Sequence, residues 1–398
     1  MELFCRNTFG RGVEKQAELI SVAEIIVHKC KGLPLAIKTM ATLLCLKHPT
    51  QWFSVLDSDV WKDTTTRIAP VLQLSYDHLS SEEKICFSFC AIFPKNTELD
   101  KDMLIQLWMV NDLIPSETRG QQVFNMLVWR CFLQDVEIQK CVFSECPLDN
   151  HHFISIDTII HRPTTCKMHD LMHDLADSVS GNDCFILQES SLSQEILQGS
   201  TYASSLHHEV RHLSVDYVGD YTIAAMEEIL APQPRTILGR TDTPLSMAKS
   251  KFLSLQASRT FPTETNMTYV KHLHYLDCSY SNISALLEAT TMLYSLQTLN
   301  LTCCLYLEKL PEGMRYMSSL RHIILVACCS LDFMPQGIGQ LNSLQTLTSY
   351  VVHPSAGRGI DQLKILNLGD CLSLTELRNV FSPEDAKQWN MSAKHNLK

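Results

Sequence analysis

The chain has 398 residues, of which 45% are hydrophobic and 19% charged, and its formal net charge is −10. This length predicts two or three domains, and this composition can bury hydrophobic cores, which excludes an intrinsically disordered chain. The acidic balance, without a basic stripe, makes nucleic acid and anionic lipid poor partners.

The N-terminus and the cysteines indicate a cytoplasmic protein. The first residues carry charges at Glu2 and Arg6 and lack the basic and then apolar pattern of a secretory signal. No run of about 18 apolar residues could span a membrane, so we expect no stable membrane insertion. The 16 cysteines are scattered, and many lie in apolar stretches, where a reduced cysteine packs as a small hydrophobe.

Two helices joined by a tight elbow are predicted near the N-terminus. Between Glu14 and Cys30 the apolar residues recur at helical spacing and form one buried stripe. Gly32 and Pro34 end this helix. A second helix begins at Pro34, because proline is tolerated in a first turn, where its missing N–H loses no partner.

Three helices, two β-like runs and a fourth helix are predicted next. The spacing of Ser80 and Glu83 predicts a capping box at the start of one helix, and Asp100 can cap the next. The remaining predicted elements are a helix near 123–132, β-like runs at 136–138 and 153–156, and a helix at 169–179. Helices followed by a small hairpin are typical of a winged-helix-like unit.

The second half contains an internal repeat. Leucines recur at intervals of 23, 24 and 24 residues, at Leu273, Leu296, Leu320 and Leu344. The clearest unit, residues 296–311, reads Leu-x-x-Leu-x-Leu-x-x-Cys-x-x-Leu followed by Leu-Pro. This is the leucine-rich-repeat pattern, in which short strands stack and bury their leucines in a shared core. Weaker strands at 210–215, 236–238 and 252–255 extend the predicted array back to near residue 207.

Four motifs precede the repeats. Residues 29–36 read Lys-Cys-Lys-Gly-Leu-Pro-Leu-Ala, residues 74–79 read Leu-Ser-Tyr-Asp-His-Leu, residues 86–95 read Cys-Phe-Ser-Phe-Cys-Ala-Ile-Phe-Pro-Lys, and residues 168–170 read Met-His-Asp. In this order, before leucine-rich repeats, they resemble the plant disease-resistance family that joins a nucleotide-binding (NB-ARC) switch to such repeats. The resemblance covers nearly the whole chain.

The resemblance implies a multidomain α+β fold in three parts. These are a C-terminal helical part of the NB-ARC domain at 1–65, a winged-helix-like subdomain at 66–200, and a partial α/β leucine-rich-repeat solenoid at 207–398. Members of the family are innate immune receptors rather than enzymes. They are activated when ADP is exchanged for ATP and subunits assemble, after the repeats sense a pathogen effector or a modified host protein.

The resemblance also implies nucleotide contacts. Pro34 would lie against the adenine of ADP, His169 would contact the phosphates, and Asp170 would orient the motif. However, these 398 residues contain no Gly-x-x-x-x-Gly-Lys-Ser/Thr phosphate loop and no strand ending in paired aspartates for magnesium. We therefore expect the chain alone to bind ADP or ATP weakly or not at all. The chain ends in a polar run without a capping segment, which predicts that the repeat array is truncated at its C-terminus. A truncated fragment without independent function is an alternative.

Zinc binding is a second alternative. His169 and His173 have the i and i+4 spacing of a zinc hydrolase helix, although aspartate replaces the catalytic glutamate and no third ligand follows unless Glu189 serves. A structural zinc site would use Cys166, His169 and His173 with Cys141 or Cys146. The simplest interpretation is two histidines on a partly exposed helix. The repeat cysteines, including Cys304 and Cys328, are interpreted as packing residues rather than a metal or redox cluster.

Overall fold

The computed structural model describes residues 1–9, 17–62, 70–138, 164–188, 211–216, 235–239, 252–254, 272–369 and 372–381. The chain divides into two compact units, one of Met1–Ile138 with Pro163–Cys184, the other of Gln139–Arg162 with Phe185–Lys398. The predicted boundary at residues 65 and 66 falls inside the first unit. No described helix is both long and apolar enough to cross a membrane.

The first unit is mainly helical. Its helices are α1 (Glu2–Thr8), α2 (Ala17–Lys29), α3 (Pro34–Cys45), α4 (Gln51–Leu56), α5 (Pro70–Asp77), α6 (Ser81–Phe89), α7 (Lys101–Val110), α8 (Glu117–Trp129) and α9 (Asp170–Ser180). Its antiparallel sheet has the order β1-β3-β2, with β1 (Glu98–Asp100), β2 (Gln134–Ile138) and β3 (Thr164–Lys167).

The predicted helix, elbow and second helix are confirmed by α2 and α3. Together with α1 and α4 they enclose a core around Trp52, which is fully buried. The indole of Trp52 donates to Leu44 O at 3.1 Å and meets the ring of Phe4 edge to face at 6.2 Å. A buried tryptophan needs such an acceptor, because an unpaired indole N–H would cost free energy.

Side-chain caps fix where the next helices begin. The capping box is confirmed, since Ser80 Oγ accepts from Glu83 N at 3.3 Å while Glu83 Oε2 accepts from Ser80 N at 2.8 Å. Asp100 caps α7 by accepting from Met103 N at 2.7 Å. The start predicted for the third helix, near residue 123, is wrong. The helix begins at Glu117, where the side chain of Ser116 accepts from Arg119 N. The prediction missed this start because the first turns are polar and carry no apolar periodicity.

The small sheet differs from the predicted hairpin. The run at 136–138 is confirmed within β2, whereas residues 153–156 lie outside the described part of the chain. β1 and β3 were not predicted. β3 reads Thr-Thr-Cys-Lys, and such a short polar strand is formed by pairing with β1 and β2 rather than by local propensity.

The second unit is built on one eight-stranded sheet in chain order. Its strands are β4 (Cys184–Gln188), β5 (His212–Asp216), β6 (Thr236–Gly239), β7 (Phe252–Ser254), β8 (Tyr275–Asp277), β9 (Thr298–Asn300), β10 (His322–Ile324) and β11 (Thr346–Leu347). The predicted leucine positions lie side by side, in the register Leu213, Ile237, Leu253, Leu276, Leu299, Ile323 and Leu347. β4 precedes the start of the array predicted near residue 207.

Short 3₁₀ turns form the opposite side of each repeat, at Glu288–Met292, Glu312–Tyr316, Ile338–Gln340 and Ile360–Leu363. Carboxylates link successive turns. Glu288 accepts from the backbone N–H groups of Glu312 at 2.7 Å and Gly313 at 3.3 Å, and Glu312 accepts from Gln336 N at 2.9 Å. Each carboxylate therefore satisfies donors at the start of the next turn, as an N-cap does within a helix.

The last described repeat departs from the others. β12 (Ser349–Val351) leaves the main sheet and pairs in parallel with β13 (Ser373–Thr375). The change of sheet occurs at Thr348. Its Oγ1 accepts from Leu325 N at 2.7 Å, next to β10 of the main sheet, while its carbonyl accepts from Ser373 N of β13 at 2.9 Å. The loop at 353–359 follows β12, outside the main sheet.

Candidate functional site

The elbow before α3 presents an apolar surface. Lys31 and Gly32 both have left-handed backbone angles, with φ of 49° and 76°, and Leu33 N donates to Cys30 O at 3.0 Å. Two consecutive left-handed residues turn the chain sharply after α2, and glycine adopts this conformation without steric cost. Leu33 and Pro34 are consequently exposed, with Pro34 as the first residue of α3. This exposed apolar pair could cover the face of a planar ring.

His169 lies just before α9 and caps it. Its Nδ1 accepts from Leu171 N at 3.1 Å, and its side chain is exposed. Because Nδ1 accepts a hydrogen bond, the neutral imidazole must carry its proton on Nε2. The cap therefore fixes a tautomer whose Nε2–H can donate to a ligand. Histidine is outside the usual set of N-cap residues, so the sequence pattern did not indicate this role.

Asp170 is the first residue of α9 and is exposed. A carboxylate in the first turn is favoured by the positive end of the helix dipole. One turn later, Asp174 forms a salt bridge with Lys95. The bond to Asp174 raises the pKa of Lys95, and the charges of Asp170 and Asp177 act in the same direction. The orienting role of Asp170 stays a prediction.

His173 has a different environment from His169, so only His169 is an exposed histidine on this partly exposed helix. His173 is buried, and its Nε2 lies 2.7 Å from Phe93 O. The described residues contain no group of three His, Cys, Asp or Glu side chains that could hold a metal ion. Glu189, Cys141 and Cys146 lie outside the described residues. The geometry thus gives the zinc alternatives no support.

Helix α5 packs against both α3, which begins at Pro34, and α9, which follows His169. The end of α5 is held by Arg130, whose guanidinium donates to Ser75 O at 2.8 Å and His78 O at 2.9 Å. Arg130 is buried, and this burial lowers its pKa to about 10. A cation at a helix C-terminus satisfies carbonyls that have no partner within the helix.

The described cysteines are free thiols and mostly packed. In the repeats, Cys304 Sγ donates to Cys278 O and Cys328 Sγ to Leu301 O, each at 3.1 Å. Burial raises the pKa of Cys304 to about 12 and that of Cys328 further. Such thiols are poor nucleophiles and poor metal ligands at neutral pH, which supports the packing interpretation of these two residues.

The repeats also contain a regular row of residues beyond the strands, of which Tyr280 is exposed, while Cys303 and Ala327 are half-buried. Tyr280, Cys303 and Ala327 occupy equivalent positions, and all three have φ between 57° and 60°. Tyr280 N donates to Thr302 O at 2.7 Å and Cys303 N to Val326 O at 2.8 Å. Each backbone is thereby locked to the next repeat, while Tyr280 remains 60% exposed. A rigidly held, exposed aromatic side chain such as that of Tyr280 is suited to contacts with a protein partner.

Two family models match the chain. Residues 92–150 match the model described as the disease resistance protein winged helix domain, and residues 253–397 match the leucine-rich repeat region. The first match includes α7, α8 and β2, and the second includes the strands from β8 onward.

Curated relatives resemble the chain over nearly its whole length. Disease resistance protein RGA2 of Solanum bulbocastanum is 31% identical over 99% of this chain and 37% of its own length. A disease resistance protein of Arabidopsis thaliana is 35% identical over 99% of this chain and 27% of its own length. The chain thus spans well under half of these relatives.

Among solved structures, the leucine-rich-repeat protein LIC12759 of Leptospira interrogans is similar with a TM-score of 0.31 and 17% identity. That likeness covers 46% of this chain and 51% of the other. A TM-score of 0.31 is too low to define the fold of this chain. Its repeat architecture is defined by the strand register and by the family match.

Proposed function

The chain belongs to the family of plant disease resistance proteins that combine a winged helix domain with leucine-rich repeats, and from this we propose that it is part of an innate immune receptor. Its repeats bind a pathogen effector or a host protein. Its first unit contributes part of an ADP/ATP switch, with Pro34, His169 and Asp170 at the nucleotide. The receptor acts in the cytoplasm and by binding rather than catalysis, and it self-associates when active.

The geometry of His169 carries the nucleotide part of this proposal. The cap to Leu171 N leaves Nε2–H as an exposed donor, which is the group that a phosphate oxygen needs. A hydrogen bond to a charged acceptor contributes roughly 1.5 to 3 kcal/mol, or about a tenfold to hundredfold change in dissociation constant. Pro34 and Leu33 supply an exposed apolar surface for the base.

The residues present fit only part of a nucleotide. Most phosphate contacts in such switches come from a phosphate loop and its lysine, and these 398 residues contain no such loop. The expected affinity of the chain for ADP is therefore low, with dissociation constants of about 1 mM or weaker.

ADP binding by the full chain tests this proposal. Saturation-transfer NMR of ADP should detect weak binding, and His169→Ser should weaken it by about tenfold or more because the phosphate donor is lost. Serine remains a good N-cap, so this variant separates ligand contact from helix capping. Pro34→Ala should weaken binding of adenosine and ADP alike.

His28→Ser is the matched control, because His28 is an exposed histidine on α2. Equal binding by the parent chain, His169→Ser and His28→Ser would contradict the role of His169. A tight, stoichiometric ADP complex would contradict the expectation that this chain holds only a minority of the nucleotide contacts.

A further inference from the structure

A cavity of about 280 Å³ opens in the last described repeat. This volume lies at the lower limit of ligand pockets, which span roughly 300 to 1,000 Å³, so it suits one large side chain rather than a nucleotide. Its lining includes His353, Gly359, Asp361, Asn379, Val380 and Phe381.

The cavity is braced by its surroundings. The hydroxyl of the buried Tyr350 lies 3.1 Å from Arg358 O and 2.7 Å from Gly359 O, so it fixes the end of the loop at 353–359. Gly357 O accepts from Gly337 N at 3.0 Å, which ties the loop to the preceding repeat. A loop fixed in this way loses little conformational entropy when a ligand binds.

The opposite side of the cavity is fixed by Asn379. Its Nδ2 donates to Val352 O at 2.9 Å, which sets the orientation of the amide and makes Oδ1 its acceptor. His353 Nδ1 accepts from Ser355 N at 3.2 Å, and its ring packs against Phe333 with centroids 5.6 Å apart. The polar atoms of the lining are thus held in defined orientations.

The lining carries negative charge. Asp361 is its one formally charged side chain, and it is exposed. A Cβ atom on Gly359 would lie 2.6 Å from Asp361 Oδ1, so the carboxylate lies directly against the backbone of this loop. The neighbouring cation, Arg358, is outside the lining, and its guanidinium binds Glu312 and Met334 O. Asp361 is therefore not neutralised by Arg358.

Beside these polar groups the wall contains the apolar side chains of Val352, Ile360 and Val380, and it ends in an exposed aromatic ring. Phe381 is 75% exposed at the edge of the cavity, next to Val380. An aromatic face attracts a cation, and an apolar wall accommodates the methylene stem of a long basic side chain. A carboxylate, a ring and a few apolar side chains together match a side chain with a hydrophobic stem and a cationic head.

We propose that this cavity binds a single arginine side chain from a basic segment of the protein that the repeats recognise. The planar guanidinium can stack on Phe381 while donating to Asp361, which the compact ammonium group of lysine cannot do equally well. A basic partner also complements the net charge of −10 on the chain. The identity of the partner rests on the proposed recognition function, whereas the chemistry of the cavity does not.

The test is a titration of the full chain with N-acetyl-arginine methylamide, followed by saturation-transfer NMR. N-acetyl-citrulline methylamide is the matched ligand, because it has nearly the same shape and no charge. Arginine should bind at least about fivefold more tightly than citrulline, since exposed charge pairs and cation–π contacts are individually modest. Added salt should reduce this preference through screening.

Variants locate the site. Asp361→Asn should reduce arginine binding to the citrulline level, and Phe381→Ala should weaken it by about threefold or more. Asp332→Asn, which changes an exposed carboxylate outside the lining, should leave binding unchanged.

Equal affinity for arginine and citrulline on the parent chain would overturn the proposal without any variant, so it stays testable even if a substitution impairs folding. Absence of arginine binding would do the same. These results are independent of ADP binding, so the cavity and the nucleotide role can fail separately.

Discussion

His212 makes the stability of the repeat unit sensitive to acid. Its side chain is 8% exposed on β5, and its Nδ1 lies 3.1 Å from the hydroxyl of the buried Thr236 on the next strand. Burial lowers the pKa of His212 from 6.5 to about 4, and the charges of Arg235 and Arg211 act in the same direction. The folded protein therefore holds this imidazole in its neutral form.

The magnitude follows from the two pKa values. Between pH 6.5 and about 4, the unfolded chain binds a proton at His212 that the folded chain does not bind. This contribution to stability is present above pH 6.5 and is lost as the pH falls towards 4, up to about 3 kcal/mol in total. From pH 7 to pH 5 the expected loss is about 2 kcal/mol.

Urea unfolding followed by circular dichroism, at pH 7, 6 and 5, measures this loss. In His212→Gln, which cannot titrate, the difference in unfolding free energy between pH 7 and pH 5 should shrink by about 2 kcal/mol. His322→Gln is the matched control for the hydrogen bond alone, because His322 Nδ1 lies 3.1 Å from Thr346 Oγ1 at the same repeat position. An unchanged pH dependence in His212→Gln would refute the reasoning.

Two further predictions concern how the repeats stack. A Cβ atom on Gly339 would lie 2.4 Å from the backbone carbonyl oxygen of Gln362, so Gly339→Ala should destabilise the unit by about 1 to 3 kcal/mol in urea unfolding, and a cost no larger than that of Gly313→Ala would contradict this. Gly313→Ala is the control because its Cβ would meet only the side chains of Thr291 and Glu288, at 3.0 Å or more. Glu288→Ala leaves the N–H groups of Glu312 and Gly313 without their carboxylate, and should cost about 1 kcal/mol in the same measurement. An unchanged urea midpoint in Glu288→Ala would show that water replaces the carboxylate at no cost.

Local sequence patterns predicted the elements whose signals are local. The capping box at Ser80, the cap at Asp100 and the start of α3 at Pro34 depend on residues within one turn of each other, and all three are confirmed. Such local patterns could not predict strands that form by pairing with distant parts of the chain. β1 and β3 were missed because short polar strands are stabilised by their neighbours in the sheet.

In the candidate site, too, the sequence indicated the residues, and the tertiary structure decided their contacts. The residue types of the Met-His-Asp motif drew attention to His169, but only its position before α9 showed that Leu171 N occupies Nδ1 and leaves Nε2–H as the donor. The i and i+4 spacing of His169 and His173 matched that of a zinc hydrolase helix. Packing decided otherwise, because His173 turns inward to the carbonyl of Phe93, which lies 80 residues earlier in the chain.

The sequence by itself determined the stacking of the repeats, because a leucine every 23 or 24 residues can be buried only when successive strands lie in register. Only the tertiary structure decided where that regularity stops. At Thr348 the chain exchanges one strand partner for another, and the loop that results lies beside Asn379 and Phe381. No repeat period encodes this cavity, because it is formed by residues that only folding brings together.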